Sequence, residues 1–152
     1  MAAGLTLAPG GLERFREFIN ERLSADVEKS RGEKALLLDA LLAPGGVAGG
    51  LCDALDVAGP YGAGWPSPRV AAGPVRLLKT SIVGEGHVRG IAAGDDGKSF
   101  KWIAFRSAET ELGRALLASP ADARWWLAGS IKRDEWNGGN AAEMHLEDAA
   151  LA

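Results

Sequence analysis

Few residues in this chain have both the type and the spacing of a catalytic centre. Asp95 and Asp96 could form the carboxylate pair of a general acid and base, but in the run GDDGK they are predicted to form a tight turn. The single cysteine, Cys52, has no sequence neighbour that would activate its thiol. His87 and His145 are each far from a second histidine and from any acidic cluster with metal-ligand spacing. We therefore predict no catalytic residue and no metal ligand in this chain.

The basic and aromatic residues suit a different chemistry, which is the binding of a polyanion. Lysine and arginine contact phosphates, and each base stacked on an aromatic ring contributes roughly 1–3 kcal/mol. The net charge of −3 does not by itself indicate such a binder, because residues 69–152 hold eleven Lys and Arg against eleven Asp and Glu. A chain with this balanced charge could bind a polyanion only if its cations lay on one face of the folded domain. The candidates are Lys79, His87, Arg89, Lys101, Trp102, Arg106, Lys132, Arg133 and Trp136.

Helical and connecting segments are predicted before Pro68. In GGLERFREFINERL the apolar residues recur at i, i+3, i+7 and i+11, which indicates an amphipathic helix. EKALLLDALL is a short apolar run that fits either a strand or a buried helical turn. GLCDALDVAG is predicted as a short helix that ends at Gly59-Pro60. The run GPYGAGWPSP is predicted to be a rigid strap, because prolines fix φ while glycines permit tight turns.

Short strands at close spacing are predicted after Pro68. VRLLKTSIVG, HVRGIAAG and SFKWIAFRS are three strand candidates, and GDDGK is the turn between the second and the third. AETELGRALLAS is predicted as a helix, followed by RWWLAGSIKRDEW and NAAEMHLEDA as two strands joined at NGG. This order is that of an OB-fold, a five-stranded Greek-key barrel. We therefore predict a mainly β, α+β fold in which the barrel follows a helical and connecting segment. Another small α+β domain with a mixed or antiparallel sheet is the alternative.

Strand periodicity assigns the second-strand candidates to a face. Val88, Gly90 and Ala92 form a small apolar set that would face the barrel interior, so His87 and Arg89 would face the groove. Further phosphate candidates lie in the first and fourth strands, and one indole lies in the loop between the fourth and fifth strands, which flanks an OB cleft. These residues are Lys79, Lys132, Arg133 and Trp136.

The third strand is predicted to turn its bulky apolar residues inward. Ile103 and Phe105 are expected in the core, which leaves Trp102 and Arg106 outward. Lys101 shares the side of Ile103, so it would face solvent only near the strand end or at a bulge. An outward Trp102 could stack a base or cover the outside of the barrel.

Five motifs occur in a fixed order along the chain: MAAGLTL before the first helix, GPYGAGWPSP in the strap, and VGEGHVRG, IAF and EWNGG in the predicted barrel. In order and spacing they resemble those of the C-terminal part of RecJ-type single-strand-specific DNA exonucleases, members of the DHH phosphoesterase superfamily. The strap departs from the family's usual PFGxGNPEP, since Tyr61, Trp65 and Ser67 stand where Phe, Asn and Glu are usual. Arg89 replaces a common Lys.

The resemblance implies three segments. Residues 1–34 would be the end of a DHH-associated domain, residues 35–68 a connecting strand, helix and strap, and residues 69–150 an OB-fold domain that binds single strands. Tyr61 and Trp65 are predicted to anchor the strap against a neighbouring domain surface, in preference to stacking on bases.

The resemblance also implies an activity for the larger enzyme. It would be a 5′-to-3′ single-stranded-DNA-specific exonuclease of DNA repair and recombination, in which this part binds the strand and guides it to a metal-dependent phosphodiesterase centre. Mg²⁺ or Mn²⁺ would be held by other domains, so this chain alone is expected to hold no cofactor and to be inactive.

The expected partner is single-stranded DNA, and the expected state is a cytoplasmic monomer. No apolar run approaches the roughly 20 residues of a membrane span, and the first residues lack a signal-peptide pattern. The alternative is a non-catalytic packing or interaction module, which would close a ring around DNA or dock single-strand-binding protein without gripping DNA itself.

Overall fold

The computed structural model describes residues 4–32, 35–134 and 141–152. The chain divides into two compact units, Met1–Leu36 and Leu37–Ala152. The boundary falls two residues after the end of the first predicted segment. Whether that segment belongs to a DHH-associated domain stays a prediction.

Among the described residues of the first unit there is one helix, α1 (Leu12–Gly32). The predicted amphipathic pattern covers its first half, and the helix continues through a run rich in good helix formers. Several of its apolar side chains are exposed, including Leu12, Phe18 and Leu23. No described helix is both long and apolar enough to span a membrane.

The second unit contains a closed five-stranded barrel. The strands are β1 (Ala40–Leu42), β2 (Arg69–Val83), β3 (His87–Ala93), β4 (Ser99–Ala104), β5 (Trp125–Arg133) and β6 (Ala142–Leu151), and the helices are α2 (Gly49–Ala58) and α3 (Glu111–Leu117). The sheet has the order β1-β2-β3-β4-β6-β5, and a further pairing of β2 with β5 closes the barrel. Strands β4 and β6 run parallel, whereas the other neighbours within the barrel are antiparallel. The predicted OB-fold is therefore confirmed.

Strand β2 closes the barrel because it pairs with two different neighbours along its length. Its first half, from Arg69 to Val75, pairs with β5, and its second half pairs with β3. The register with β5 shifts around Gly73, where an added Cβ would lie only 2.8 Å from the Trp125 carbonyl oxygen. Glycine and the following Pro74 suit such an irregularity, since neither continues a regular ladder well.

The core fills the barrel and extends to the connecting segment. Val75, Val88 and Leu127 are fully buried inside it. Leu116 from α3 is also fully buried, and burial of one such side chain stabilises the fold by about 1.5–3 kcal/mol. Helix α3 begins at a Thr110 cap, whose hydroxyl accepts a hydrogen bond from the Gly113 amide.

The connecting segment packs on this same core. Strand β1 pairs in parallel with the first half of β2, and α2 contributes the buried thiol of Cys52. Leu51 and Leu55 pack partly buried beside it. From Leu37 onward, the predicted connecting segment belongs to the compact unit that contains the barrel.

Candidate nucleic-acid interface

A groove of about 1220 Å³ lies on the outer face of the barrel. All five barrel strands contribute to it, and α2 and the strap supply residues at its border. Seven of the predicted binding residues are among those that line it: Lys79, His87, Arg89, Lys101, Trp102, Lys132 and Arg133.

Sheet register explains why these residues meet. Side chains that lie directly opposite each other on neighbouring strands share one face of the sheet. Lys79 lies opposite Ile91, Ile91 opposite Lys101, Lys101 opposite Glu143, and Glu143 opposite Lys132. We call this line across five strands the cation row; its members are Lys79, Ile91, Lys101, Glu143 and Lys132.

A second line runs beside the cation row. Ser81 lies opposite Arg89, Arg89 opposite Ile103, and Ile103 opposite His145. The groove therefore presents a grid of side chains drawn from distant parts of the chain, with cations on β2, β3, β4 and β5.

A β-bulge brings Lys79 into this grid. Leu77 pairs with the buried Ala92, but Lys79 pairs with Ile91 rather than Gly90, so Leu78 is an extra residue. Strict alternation would place Lys79 on the same side as Leu77, facing the interior. Because a bulge shifts the strand by one residue, it turns the ammonium group to the groove side.

The groove cations differ in how they are paired. The side chains of Lys79 and Arg89 form no ion pair or hydrogen bond with any residue that the structure describes. Lys132 Nζ donates to Ser67 Oγ at 3.4 Å. In contrast, Lys101 Nζ lies 2.8 Å from an oxygen of the buried Asp134. The charges of Lys79, Arg89 and Lys132 are therefore the ones available to an anion.

Arg133 is held by carboxylates of α2. Its guanidinium lies 2.8 Å from Asp53 Oδ1 and 3.0 Å from Asp56 Oδ2. These two hydrogen bonds raise the pKa of Arg133 above its usual value. The arginine links β5 to α2 and thereby holds one wall of the groove in place.

Three rings form an aromatic platform in the groove, defined here as His87, Phe105 and His145. Phe105 is 52% exposed, and the centroid of its ring lies 5.3 Å from that of His87 and 5.0 Å from that of His145, in edge-to-face geometry. His87 Nδ1 accepts a hydrogen bond from the Arg106 amide, which places the ring proton on Nε2. Burial, and then the charge of Lys132, lower the pKa of His145, so this ring is uncharged at neutral pH.

The comparison with known families agrees with this geometry. The family described as the RecJ OB domain matches residues 38–148. The chain belongs to the RecJ OB domain family. The match covers most of the barrel, the strap and most of the connecting segment. The predicted resemblance is thus confirmed for the OB part, and the DHH-associated and exonuclease parts of it stay predictions.

Two solved structures align with part of this chain. The S. pombe Stn1-Ten1 complex aligns with 8% identity and a TM-score of 0.44, over 55% of this chain and 57% of that one. Apo TiaS, a tRNAIle2 agmatidine synthetase, aligns with 14% identity and a TM-score of 0.43, over 74% of this chain and 21% of that one. The chain spans less than two thirds of either protein. No curated protein matches it.

The predicted faces of β4 are reversed in this RecJ OB domain. Trp102 is completely buried beneath the groove floor, whereas Ile103 and the exposed Phe105 lie on the groove side. The expectation of an outward Trp102 and an inward Phe105 was therefore wrong. The reason lies on β3, where Gly90 faces Trp102 and a Cβ would lie only 2.5 Å from the indole ring. Glycine at this position leaves the interior space that the indole occupies, so Trp102 cannot stack on a base.

The other β3 and β4 candidates have different outcomes. Val88 and Ala92 face the interior, and His87 and Arg89 face the groove, as strand alternation predicted. Lys101 shares the groove side with Ile103. The side chain of Arg106 does not line the groove; its residue has a positive φ of 50°, and its amide positions His87. Trp136 lies outside the described residues.

The two predicted strap anchors, Tyr61 and Trp65, differ in their side-chain contacts. Tyr61 Oη donates a hydrogen bond to the Leu55 carbonyl of α2 at 2.8 Å, and its ring lines the groove. Trp65 exchanges two backbone hydrogen bonds with Gly62, but its side chain is 63% exposed. The strap is thus folded on α2 through Tyr61. A role of Trp65 as an anchor against another domain stays a prediction.

Sequence reasoning missed two platform rings. Phe105 was assigned to the core because of its size, and His145 was considered only as a metal ligand. Correct pairing of β4 with β6 would have placed His145 beside Ile103, but parallel pairing between distant strands leaves no local signal. In the described ranges, no three His, Cys, Asp or Glu side chains are grouped to hold a metal ion. The residues that the structure describes therefore offer no donor set that fits the Mg²⁺ or Mn²⁺ expected for the larger enzyme.

Proposed function

We propose that the groove of this RecJ OB domain binds single-stranded DNA. The observation that supports the proposal is the presence in one groove of available cations and an exposed ring: Lys79, Arg89, Lys132 and Phe105. OB-folds bind single strands with such a combination, in which cations follow the backbone and bases stack on rings.

The dimensions of the cation row suit a short piece of single strand. The row crosses four gaps between neighbouring strands, and strands lie about 4.8 Å apart, so it spans about 19 Å at most. This length accommodates roughly four nucleotides, at the low end of the site sizes of OB-folds. Phosphates would follow the cation row, and a base would stack on Phe105 beside it.

The larger role that we propose is that of a guide. Within a 5′-to-3′ single-stranded-DNA-specific exonuclease of repair and recombination, the groove would hold the strand while other domains, with Mg²⁺ or Mn²⁺, hydrolyse it. We propose a cytoplasmic monomer for this setting. The 152-residue chain alone is then expected to show no nuclease activity with Mn²⁺, and cleavage by purified protein would contradict this role.

Fluorescence anisotropy with a labelled oligo-dT tests the DNA-binding proposal. Three available cations predict a slope of log K against log salt of about −2, at about −0.7 for each phosphate neutralised on a single strand. The matched control is double-stranded DNA of the same length, which the narrow cation row should bind more weakly. Absence of binding to oligo-dT at low salt would overturn the proposal.

A second candidate function is a docking or packing module. The carboxylates of Asp56, Asp134 and Glu143 also line the groove, and they favour a partner that carries donors or positive charge. Such a module would close a ring around DNA or dock single-strand-binding protein. It predicts binding of single-strand-binding protein in a titration without DNA, together with no measurable affinity for oligo-dT at any salt concentration.

A further inference from the structure

Glu143 places a carboxylate in the middle of the cation row. It lies directly opposite Lys101 on β4 and directly opposite Lys132 on β5. The Cβ atoms of such opposite residues are about 4.5–5.5 Å apart. A strand whose phosphates follow the row as far as Lys132 would therefore pass next to the Glu143 carboxylate.

Neither lysine donates a hydrogen bond to this carboxylate. Lys101 donates to Asp134, and Lys132 donates to Ser67. His145 Nε2 lies 4.0 Å from Glu143 Oε2, which is too far for a hydrogen bond. Within the described parts of the chain no group donates a hydrogen bond to Glu143, although its side chain is only 24% exposed.

The charged and titratable groups around Glu143 lie on four strands and on the residue that follows β5. Burial is the main cause that raises the pKa of Glu143, and the nearby Asp134 raises it further, while Lys101 and Arg89 act in the opposite direction. His145, on the same strand, is uncharged at neutral pH. The groups that face Glu143 are Arg89, Lys101, Lys132, Asp134 and His145.

We propose that Glu143 limits the affinity of the groove for single-stranded DNA, and that the groove takes up a proton at this carboxylate when a strand binds. The inference rests on the proposed function, because it requires phosphates along the cation row. A neighbouring phosphate repels the ionised carboxylate, whereas a protonated carboxyl group can donate a hydrogen bond to a phosphate oxygen.

The sign of the pH dependence follows from this repulsion. A bound strand raises the pKa of Glu143 above its value in the free protein, so the complex holds more protons than the separate partners. Affinity is therefore lowest above the pKa of the bound state. It rises as pH falls through that value and levels off below the pKa of the free state.

The experiment compares three full-length chains in oligo-dT titrations at constant ionic strength. Glu143→Gln removes the charge and keeps the shape, and Glu147→Gln is the control, because it removes the same charge from β6 at an exposed site paired with Arg69. Near neutral pH we expect E143Q to bind about three- to tenfold tighter than wild type. The control should stay within about twofold.

Measurement at a second pH, near 5, completes the test. Wild type should gain more affinity on acidification than E143Q does, because only wild type has a carboxylate at position 143 that can take up a proton. A thermal melt of each chain checks folding, and Glu143→Ala should strengthen binding in the same direction.

Each other outcome has a distinct meaning. If E143Q binds with unchanged affinity, the carboxylate does not face the phosphates and the inference is wrong. If E143Q binds more weakly, Glu143 accepts a hydrogen bond from a base and the inference is again wrong, while the DNA-binding proposal stands. If no chain binds oligo-dT at low salt, the proposed function fails and this inference fails with it.

Discussion

The two sides of the groove use the same residue types for different purposes. On the β2–β3 side, Lys79 and Arg89 have no ion pair with any described residue. On the β4–β5 side, Lys101 is paired with Asp134, and Arg133 is paired with two carboxylates of α2. A cation that already has a partner must lose it before it can bind a phosphate, so the first side is suited to bind a ligand and the second to hold the groove together.

The pairing on the second side follows from local helix geometry. Asp53 and Asp56 are three residues apart on α2, so both carboxylates lie on the same face of the helix. Arg133 on β5 reaches both of them. The number of basic residues in a groove therefore overstates its positive charge, and the positions of the carboxylates decide which cations are available.

The largest expected loss of affinity comes from the β2–β3 side. The double change Lys79→Ala and Arg89→Ala should weaken oligo-dT binding by about tenfold or more near 0.1 M salt and reduce the salt slope by about 1.4. The matched control is Lys98→Ala with Arg114→Ala, which removes two cations that do not line the groove. Equal losses in both double variants would show that only net charge matters.

The aromatic platform should have the next largest effect. Phe105→Ala removes the stacking surface and is expected to weaken binding by roughly 1–2 kcal/mol with an unchanged salt slope. Phe105→Trp, which keeps a stacking ring, should retain most of the affinity. A circular dichroism spectrum checks that F105W is folded. If folded F105W binds oligo-dT much more weakly than wild type, the result would argue against stacking at this position.

Lys101 should matter more for stability than for binding. Lys101→Met leaves the buried Asp134 without this partner and is expected to lower the free energy of unfolding by about 1–2 kcal/mol. Affinity for oligo-dT should fall by less than about threefold, because the ammonium is already paired. Urea unfolding and anisotropy measure the two quantities, and a large loss of affinity with unchanged stability would place Lys101 with the ligand-binding cations.

Arg133 should have the smallest effect on affinity. Arg133→Gln is expected to change oligo-dT binding by less than about twofold. It should lower the melting temperature slightly, and the difference from wild type should shrink as salt screens the ion pairs with Asp53 and Asp56. A loss of affinity comparable to that of the Lys79 and Arg89 double variant would remove the distinction between the two sides.

Local pattern was sufficient for much of the fold. The order of strands and α3, and the turn at GDDGK, follow from periodicity and turn residues, and they lead to the OB-fold. The faces of β3 were also predictable, because Val88 and Ala92 alternate with His87 and Arg89. These features depend on residues that are close in sequence, where period and side-chain size act directly.

Alternation along the sequence could not predict which side chains of β4 face the interior. Apolar and aromatic residues occupy both sides of this strand, so size alone favoured Ile103 and Phe105 as core. The absence of a side chain at Gly90, on a neighbouring strand, instead gives Trp102 its place in the interior. The bulge in β2 that turns Lys79 outward likewise depends on how β2 pairs with β3.

The sequence by itself determined the elements, their order, the family and the list of basic and aromatic candidates. Only the tertiary structure decided which candidates share the groove, which cations are paired and which aromatic ring is exposed. The physical reason is distance along the chain: Arg133 meets Asp53 across 80 residues, and Lys101 meets Asp134 across 33. Closure of the barrel makes these contacts, and no local pattern specifies them.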